Sequence, residues 1–518
     1  MPSIISPLLS WWLLGGVVVL AAVVKTWRRD RRKLPPGPRG IPLLGNVLQT
    51  PATSPERAFA DWAKIYGDVI YVRLFRTPMV VLNSIEAARD LLDKRSSIYS
   101  DRPRMVLLAE LLGQGATLPV LRYGERLRKQ RRWLQEGVGN KVKLRSYQHI
   151  QLREVKKLLR NLSQTPEHFV EHLHLYLAAI MVEITYGRRV SSMNDEMVRV
   201  ADLAVNSTDA AGRPGSMPID FIPFLKHVPA WLPGAGWKRH YSVVRAISEE
   251  WMNLGYQVGT SGMADGTITP CIFTNVMAEY GGAPPPEEQE DIKGLGFSVY
   301  GGYTLQTRGT LAICFLMMTR NTEAYIKAQA EVDRVVGHDR LPTFSDRESL
   351  PYVEAFLEEV YRSRPSLPLA VPHRVMTDDH YREYDIPAGC NVFANTWAMS
   401  RDTRYYPEPE EFRPERYLTS DGRLREDVLL PSSFVFGFGR RLRHRICPGQ
   451  AMADASIWLA VANVFALFDV RKVLDEDGKE VTPPAAFFPG ITSQPVPFPC
   501  RITLRSEKAA ELFADLDE

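Results

Sequence analysis

The chain has 518 residues, 45% of them hydrophobic and 24% charged, with a formal net charge of +4. That is an ordinary globular composition with ample material for a core, which excludes a disordered or fibrous chain. A small positive balance without basic–aromatic interleaving argues against nucleic acid as a partner. The five cysteines, Cys271, Cys314, Cys390, Cys447 and Cys500, form no C-x-x-C pair and no disulfide framework, as expected in a reducing compartment.

The N-terminus reads as a membrane anchor. Ile4 to Val24 contains no charge, and about 20 apolar residues suffice to cross the hydrocarbon. Lys25, Arg28, Arg29, Arg31, Arg32 and Lys33 follow, opposed only by Asp30, which places the downstream chain in the cytosol. A cleaved signal peptide carries its positive charge ahead of the apolar run instead. Leu34-Pro-Pro-Gly-Pro38 is too poor in donors for a helix and reads as a hinge. The expected organisation is an anchor at 1–24, a basic and proline-rich segment at 25–39, and one large domain at 40–518.

Along that domain, Val69–Phe75 and Met79–Leu82 read as strands near its start. Tyr123 to Trp133 is a basic helical stretch whose Arg126, Arg128 and Lys129 read as a solvated face. Pro229 to Trp237 is an apolar loop with two tryptophans, residues suited to a bilayer interface. Ile292 to Met318 is a long apolar helix containing Gly301 and Gly302. Glu323–Val336 and Tyr352–Arg364 show helical periodicity, and Glu359 and Arg362 share one face at i, i+3. Arg501–Leu504 is a late strand. The domain is therefore mainly α with small β-sheets.

The most informative stretch is Phe436-Gly-Phe-Gly-Arg-Arg-Leu-Arg-His-Arg-Ile-Cys447-Pro-Gly449, followed by a helical run from Gln450. A cysteine at a helix N-terminus among arginines is expected to be held as thiolate, fit either for nucleophilic attack or for ligating a haem iron. Pro448 has no N–H, so the amides of Gly449 and Gln450 are the nearest donors.

These residues resemble the haem-binding signature of the cytochrome P450 family, F-x-x-G-x-R-x-C-x-G. Phe436, Gly439, Arg441, Cys447 and Gly449 supply its residue types in order, with Leu442-Arg443-His444-Arg445 reading as an insertion. Arg441 and Arg445 both match the propionate-binding arginine; Arg445 keeps its distance from the cysteine and is preferred. The resemblance covers about residues 34 to 505 and is closest to fungal, basidiomycete-like microsomal members. It implies the fold of that family, haem b with the Cys447 thiolate as axial metal ligand, and a buried triad of Glu359, Arg362 and Arg416. Phe436 and Gly439 are implied on the haem loop, Arg131 in the W-x-x-x-R helix (Leu127 replacing its tryptophan), and Arg374 beside the haem edge.

Counting back from Lys327-Ala-Gln-Ala-Glu331, the family's small-Gly-x-acid-Thr-Thr run, where the helix breaks locally to admit dioxygen, places Leu305 at the acid, Gln306 at the proton-relay threonine and Thr307 at the second threonine. Leucine carries no proton, so Gln306 and Thr307 are the catalytic candidates here, with Thr304 beside them. The implied activity is insertion of one oxygen atom from O2 into a lipophilic small molecule, in secondary metabolism or xenobiotic oxidation. Electrons would come from NADPH through a cytochrome P450 reductase, with cytochrome b5 as a possible second donor, docking near Arg440 to Arg445. The implied location is the endoplasmic reticulum membrane, single-pass, with the catalytic domain cytosolic. Leu305, Gln306 and the loop insertion leave two alternatives: a haem-thiolate isomerase or dehydratase, and a catalytically impaired member that only binds.

Overall fold

The computed structural model describes residues 32–212, 217–439, 446–488 and 490–514. The expected anchor at 1–24 and most of the basic flank lie outside the described residues, as do Arg440 to Arg445.

The N-terminal side holds the helix α1 (Pro55–Tyr66) and a four-stranded sheet. Strands β1 (Val69–Leu74) and β2 (Thr77–Leu82) form a hairpin in which Val69 faces Leu82. Strand β4 (Asn391–Ala394) runs parallel to β2 with Met79 opposite Asn391. The two-residue β3 (His373–Arg374) pairs antiparallel with β4, His373 opposite Val392. Sheet order is thus β1-β2-β4-β3. Alternate residues Ile70, Val72 and Leu74 pack with Phe59 of α1, so one face of the hairpin is closed by that helix.

Most of the molecule is helical. Helices α2 (Glu125–Val138), α3 (Gln148–Gln164), α4 (Phe169–Tyr186), α5 (Glu196–Ala211) and α6 (Gly236–Ala264) precede the central helix α7 (Pro286–Arg320). Then come α8 (Thr322–Val336), α9 (Pro351–Ser363) and α10 (Gln450–Leu467). Helix α7 opens on Pro286 with Glu287 and Glu288 in its first turn and closes with Arg320 in its last, each charge complementing the helix dipole. It is apolar around its circumference from Leu311 to Met318 because it is covered on all sides. Close crossing explains two of its glycines. A Cβ on Gly294 would lie 2.3 Å from the Ala116 carbonyl oxygen, and one on Gly296 would lie 2.1 Å from the Tyr186 hydroxyl.

Among the described residues, α10 is the helix that is long and apolar enough to cross a membrane, yet 72% of its apolar window is buried inside the protein. It is a core helix, packed against α3, α7 and α8. Late strands β5 (Phe468–Arg471) and β6 (Arg501–Leu504) pair antiparallel beside it.

Two expectations need correction. The proline-rich segment is not a free hinge: the Pro36 carbonyl accepts from the Tyr71 amide at 2.9 Å, and Pro38 from Asn46 Nδ2 at 2.9 Å. Prolines lack donors but keep acceptors, and these carbonyls tie the segment to the body around β1. Nor are Arg126 and Lys129 of α2 merely solvated. Arg126 pairs with the buried Asp291, and Lys129 reaches Glu288 at 2.5 Å and Asp291 at 2.8 Å, which ties α2 to the start of α7.

Candidate active site

The cysteine loop closes on itself in spite of its length. The Cys447 amide donates to the Phe436 carbonyl at 3.0 Å, so the segments flanking residues 440–445 stay adjacent. Helix α10 then starts at Gln450 with Gly449 as its cap, and the amides of Gly449 and Gln450 hydrogen-bond the Cys447 sulfur. Phe436 packs edge-on against Tyr361 of α9 at 5.6 Å between centroids. Burial nevertheless pushes the Cys447 thiol up, outweighing both amides and the Arg131 charge. Desolvation thus opposes the thiolate that the two amides and the Arg131 charge favour. A metal ion at the sulfur reverses that balance, because a coordinating thiol is deprotonated outright.

The sulfur opens into a cavity of about 1540 Å³, its open mouth included. Helix α7 contributes Ser298, Val299, Gly302, Tyr303, Gln306, Thr307 and Thr310, a stripe at helical spacing. The cysteine loop and α10 contribute Phe436, Gly437, Cys447, Pro448, Gly449, Met452 and Ala453, and the segment after α9 contributes Ser366, Leu367, Ala370, Val371 and His373.

Protonatable groups in this lining are few and one-sided. Arg131, 8% exposed, donates to the Ile446 carbonyl at 2.9 Å, and burial lowers its pKa. Arg102, 5% exposed, donates to the carbonyls of Val371 and Pro372 at 2.7 and 2.6 Å. His373 is buried with Nδ1 2.8 Å from the Tyr99 carbonyl. Among the described residues no carboxylate lines the cavity. Buried cations facing an apolar space without an acid favour an anionic ligand group there. Among the described residues no group of three or more His, Cys, Asp or Glu is arranged to hold a metal, so Cys447 offers one ligand and a prosthetic group must supply the rest. The cavity therefore fits haem: apolar walls, one sulfur, and basic side chains for two propionates.

Two of the expected cofactor contacts fall elsewhere. Arg374 is absent from the lining and pairs with Asp101 at 3.3 Å. His373 and Arg374 are neighbours on one strand, and successive strand residues point to opposite faces; His373 takes the inner one. Gly439 also lies off the cavity, its amide donating to the Asp93 carboxylate, while Gly437 lines it. Arg445 and Arg441 lie outside the described residues. Sequence reasoning missed Arg102, which no local pattern marked, and His373, which the alternation along β3 would have singled out.

Behind the cysteine loop, Glu359 is fully buried in a charged cluster. Arg362 donates to both its carboxylate oxygens at 2.8 Å, Arg416 at 3.2 Å, the Arg413 amide at 2.8 Å and the Tyr417 hydroxyl at 3.0 Å. The spare donors of Arg362 reach the carbonyls of Ser400, Pro409 and Glu411. Every polar atom of the carboxylate is thus answered, the condition for a buried ion group to be tolerated.

On α7, Leu305 faces away from the cavity and packs against the core, its carbonyl accepting from Gln494 Nε2 at 3.0 Å. Gln306 and Thr307 face the cavity. The expected local break is not there: the helix runs unbroken through this stretch, and space comes instead from Gly302, where an added Cβ would meet nothing within 4 Å.

Comparison with known proteins agrees with this arrangement. A model of the family "Cytochrome P450" matches residues 35–498. The chain belongs to the cytochrome P450 family. It is 41% identical to cytochrome P450 monooxygenase 136 of Postia placenta over 96% of this chain and 94% of that protein. It is 37% identical to monooxygenase ple1 of Rhodocybe pseudopiperita, covering 98% and 96% of the two chains. Monooxygenase claR of Ampulloclitocybe clavipes is likewise 37% identical, over 98% of this chain and 91% of that one. The protein is accordingly an oxidoreductase, a monooxygenase of the haem-thiolate cytochrome P450 type with fungal relatives, and the isomerase and binding-only readings are not favoured.

Proposed function

We propose that Cys447 is the axial ligand of a haem b whose propionates are held by Arg131, Arg102 and His373, with Phe436 packed beside the sulfur. The observation that carries this is the convergence of the Cys447 thiol and three basic side chains on a largely apolar cavity with no carboxylate among its described lining residues. When bound, the haem supplies the reductive activation of dioxygen, and a thiolate ligand favours O–O cleavage. The overall reaction consumes O2, two electrons and two protons, places one oxygen atom in a substrate C–H bond and releases the other as water. Electrons come from NADPH through a membrane-bound reductase, since the chain has no dinucleotide-binding fingerprint of its own. Residues 1–24 anchor the chain in the endoplasmic reticulum membrane with the catalytic domain cytosolic, and the lipophilic substrate arrives partly from the bilayer.

The protein's own part on the distal side falls to α7. Gly302 leaves room for oxygen, Gln306 holds a water or hydroxyl, and Thr307 passes a proton. General acid assistance is typically worth ~10²–10⁴-fold, so a route without a carboxylic acid must use such hydroxyls. The test is the reduced, carbon-monoxide-bound spectrum of the purified full chain. A band near 450 nm is expected from the wild type and its loss from Cys447→Ser; a serine variant with an unaltered spectrum refutes the assignment.

A further inference from the structure

The distal wall of the cavity contains polar groups that the fold leaves unused. Ser298 donates to the Gly294 carbonyl and accepts from the Leu118 amide. Thr310 donates to the Gln306 carbonyl at 3.0 Å, and Thr304, outside the lining, donates to the Tyr300 carbonyl at 2.7 Å. Gln306 and Thr307 differ. Neither side chain makes a hydrogen bond within the described residues, and both line the cavity. Across from α7 in sequence, Ser366 lines the same cavity, and its hydroxyl is buried without a partner. The other polar groups of the lining are already answered, the Tyr303 hydroxyl by Ser456 and the Tyr361 hydroxyl by Asp454, and most of the remaining wall is carbon.

Three uncommitted hydrogen-bonding groups in an otherwise apolar wall are costly unless a ligand answers them. Because the basic residues belong to the propionates on the reading above, no charged group among the described lining residues is left to receive a charged substrate. Resting on that reading, we infer that the substrate is a neutral lipophile bearing a hydroxyl group, which Gln306 and Ser366 hold and which links Thr307 to the oxygen being reduced. The amide of Gln306 holds the hydroxyl but does not itself transfer a proton. The substrate hydroxyl gives its proton towards the oxygen and takes one back from the Thr307 side, so it is unchanged over the cycle. The two electrons come from the NADPH-dependent reductase, the two protons from solvent by way of Thr307, and one oxygen atom leaves as water. The reaction that supplies this substrate is consequently one that installs a hydroxyl on a hydrocarbon skeleton, an earlier hydroxylation or a cyclisation terminated by water.

The experiment uses the full-length holoprotein and pairs of cyclic terpenes that differ only by a hydroxyl, such as cedrol and its parent hydrocarbon cedrane. Binding is read from the shift of the haem absorption band. The alcohol of at least one pair should bind about tenfold more tightly than its hydrocarbon, and Gln306→Leu should abolish that preference while the reduced carbon-monoxide band stays near 450 nm. With a bound alcohol, product formed per NADPH consumed should fall at least fivefold in Thr307→Val, with substrate affinity unchanged. No alcohol preference in any pair, including the case in which neither member binds, overturns the inference, as does a preference that survives Gln306→Leu. A missing 450 nm band in the wild type would instead strike the haem-thiolate reading, so the two failures are distinct.

Discussion

At the scale of single residues, Glu359 carries the heaviest electrostatic demand in the molecule. Its carboxylate is fully buried and accepts from two guanidinium groups, one amide and one phenol. Removing it leaves Arg362, 1% exposed, as a buried cation with only carbonyls for partners. Breaking a buried ion group by deleting one partner costs roughly 3–5 kcal/mol, because the remaining charge is uncompensated. Glu359→Ala should therefore yield little haem-loaded protein, read as the ratio of haem absorbance to protein absorbance after purification. Glu359→Gln should sit between it and wild type, since an amide oxygen still accepts from Arg362. Full haem content in the alanine variant would mean that the cluster does not support the cysteine loop. The pair at i, i+3 was legible in the sequence, because helical spacing alone brings Glu359 and Arg362 together. The facing of His373 and Arg374 was not: a two-residue strand takes its orientation from pairing with Val392 and Asn391, far away in the chain. The desolvation acting on the Cys447 thiol was also hidden, since the local cations are visible in the sequence and the enclosure is not.

At the scale of elements, α9 shows how one helix serves the cysteine loop from two sides. Glu359 and Arg362 lock it to the segment around Arg416, while the neighbouring Glu358 accepts from the Ser432 amide at 2.9 Å, just ahead of the loop. Burial, with Glu354 and Asp454 nearby, pushes the Glu358 carboxyl up to about 8 from an ordinary 4.5. The folded state thus binds this proton more tightly than the unfolded chain does. Between about pH 4.5 and 8 the folded protein holds more protons, so stability falls as pH rises through that window. Glu358→Gln removes the titration and keeps an oxygen for Ser432. The variant's Tm should match wild type near pH 5 and exceed it increasingly towards pH 8.5. Parallel melting curves for the two proteins across that range would show Glu358 to be no more perturbed than a surface carboxylate. Element boundaries were read well where local signals are strong: the helical periodicity expected over Tyr352–Arg364 lies within one residue at each end of α9, Pro351–Ser363. Strands at Val69, Met79 and Arg501 were also found, each a run of branched or apolar residues. What local signals did not contain was continuity: the resembled family's run breaks locally, whereas α7 is helical from Pro286 to Arg320.

At the scale of the whole molecule, the question is how the catalytic body would sit against a membrane if the proposed anchor at 1–24 brings it there. Beyond the proline-rich segment, the short helix Pro223–His227 and the following loop expose Phe224 at 76%, Trp231 at 77% and Leu232 at 42%. Trp237, expected at the interface as well, packs on Tyr241 at 5.7 Å and belongs to the body. The same segment rests on a core cluster containing Met105, Leu108, Ile219 and Tyr241, against which the cavity residue Val371 also packs. The exposed side chains are therefore mechanically close to the cavity wall. Burying three such side chains is worth about 1.5–3 kcal/mol each at most, enough for weak, reversible adhesion and not for anchoring. A single weak contact becomes substantial when a tether supplies a high effective concentration. A chain lacking residues 1–31 should accordingly still float partly with phosphatidylcholine vesicles, and Phe224→Asp with Trp231→Asp should cut that fraction at least tenfold. The same pair in the full chain should leave it in the membrane but weaken binding of a lipid-dissolved substrate relative to one supplied in detergent-free solution. Equal flotation of the truncated parent and its double variant would show that these side chains do not meet the bilayer, and that the body hangs from its anchor alone.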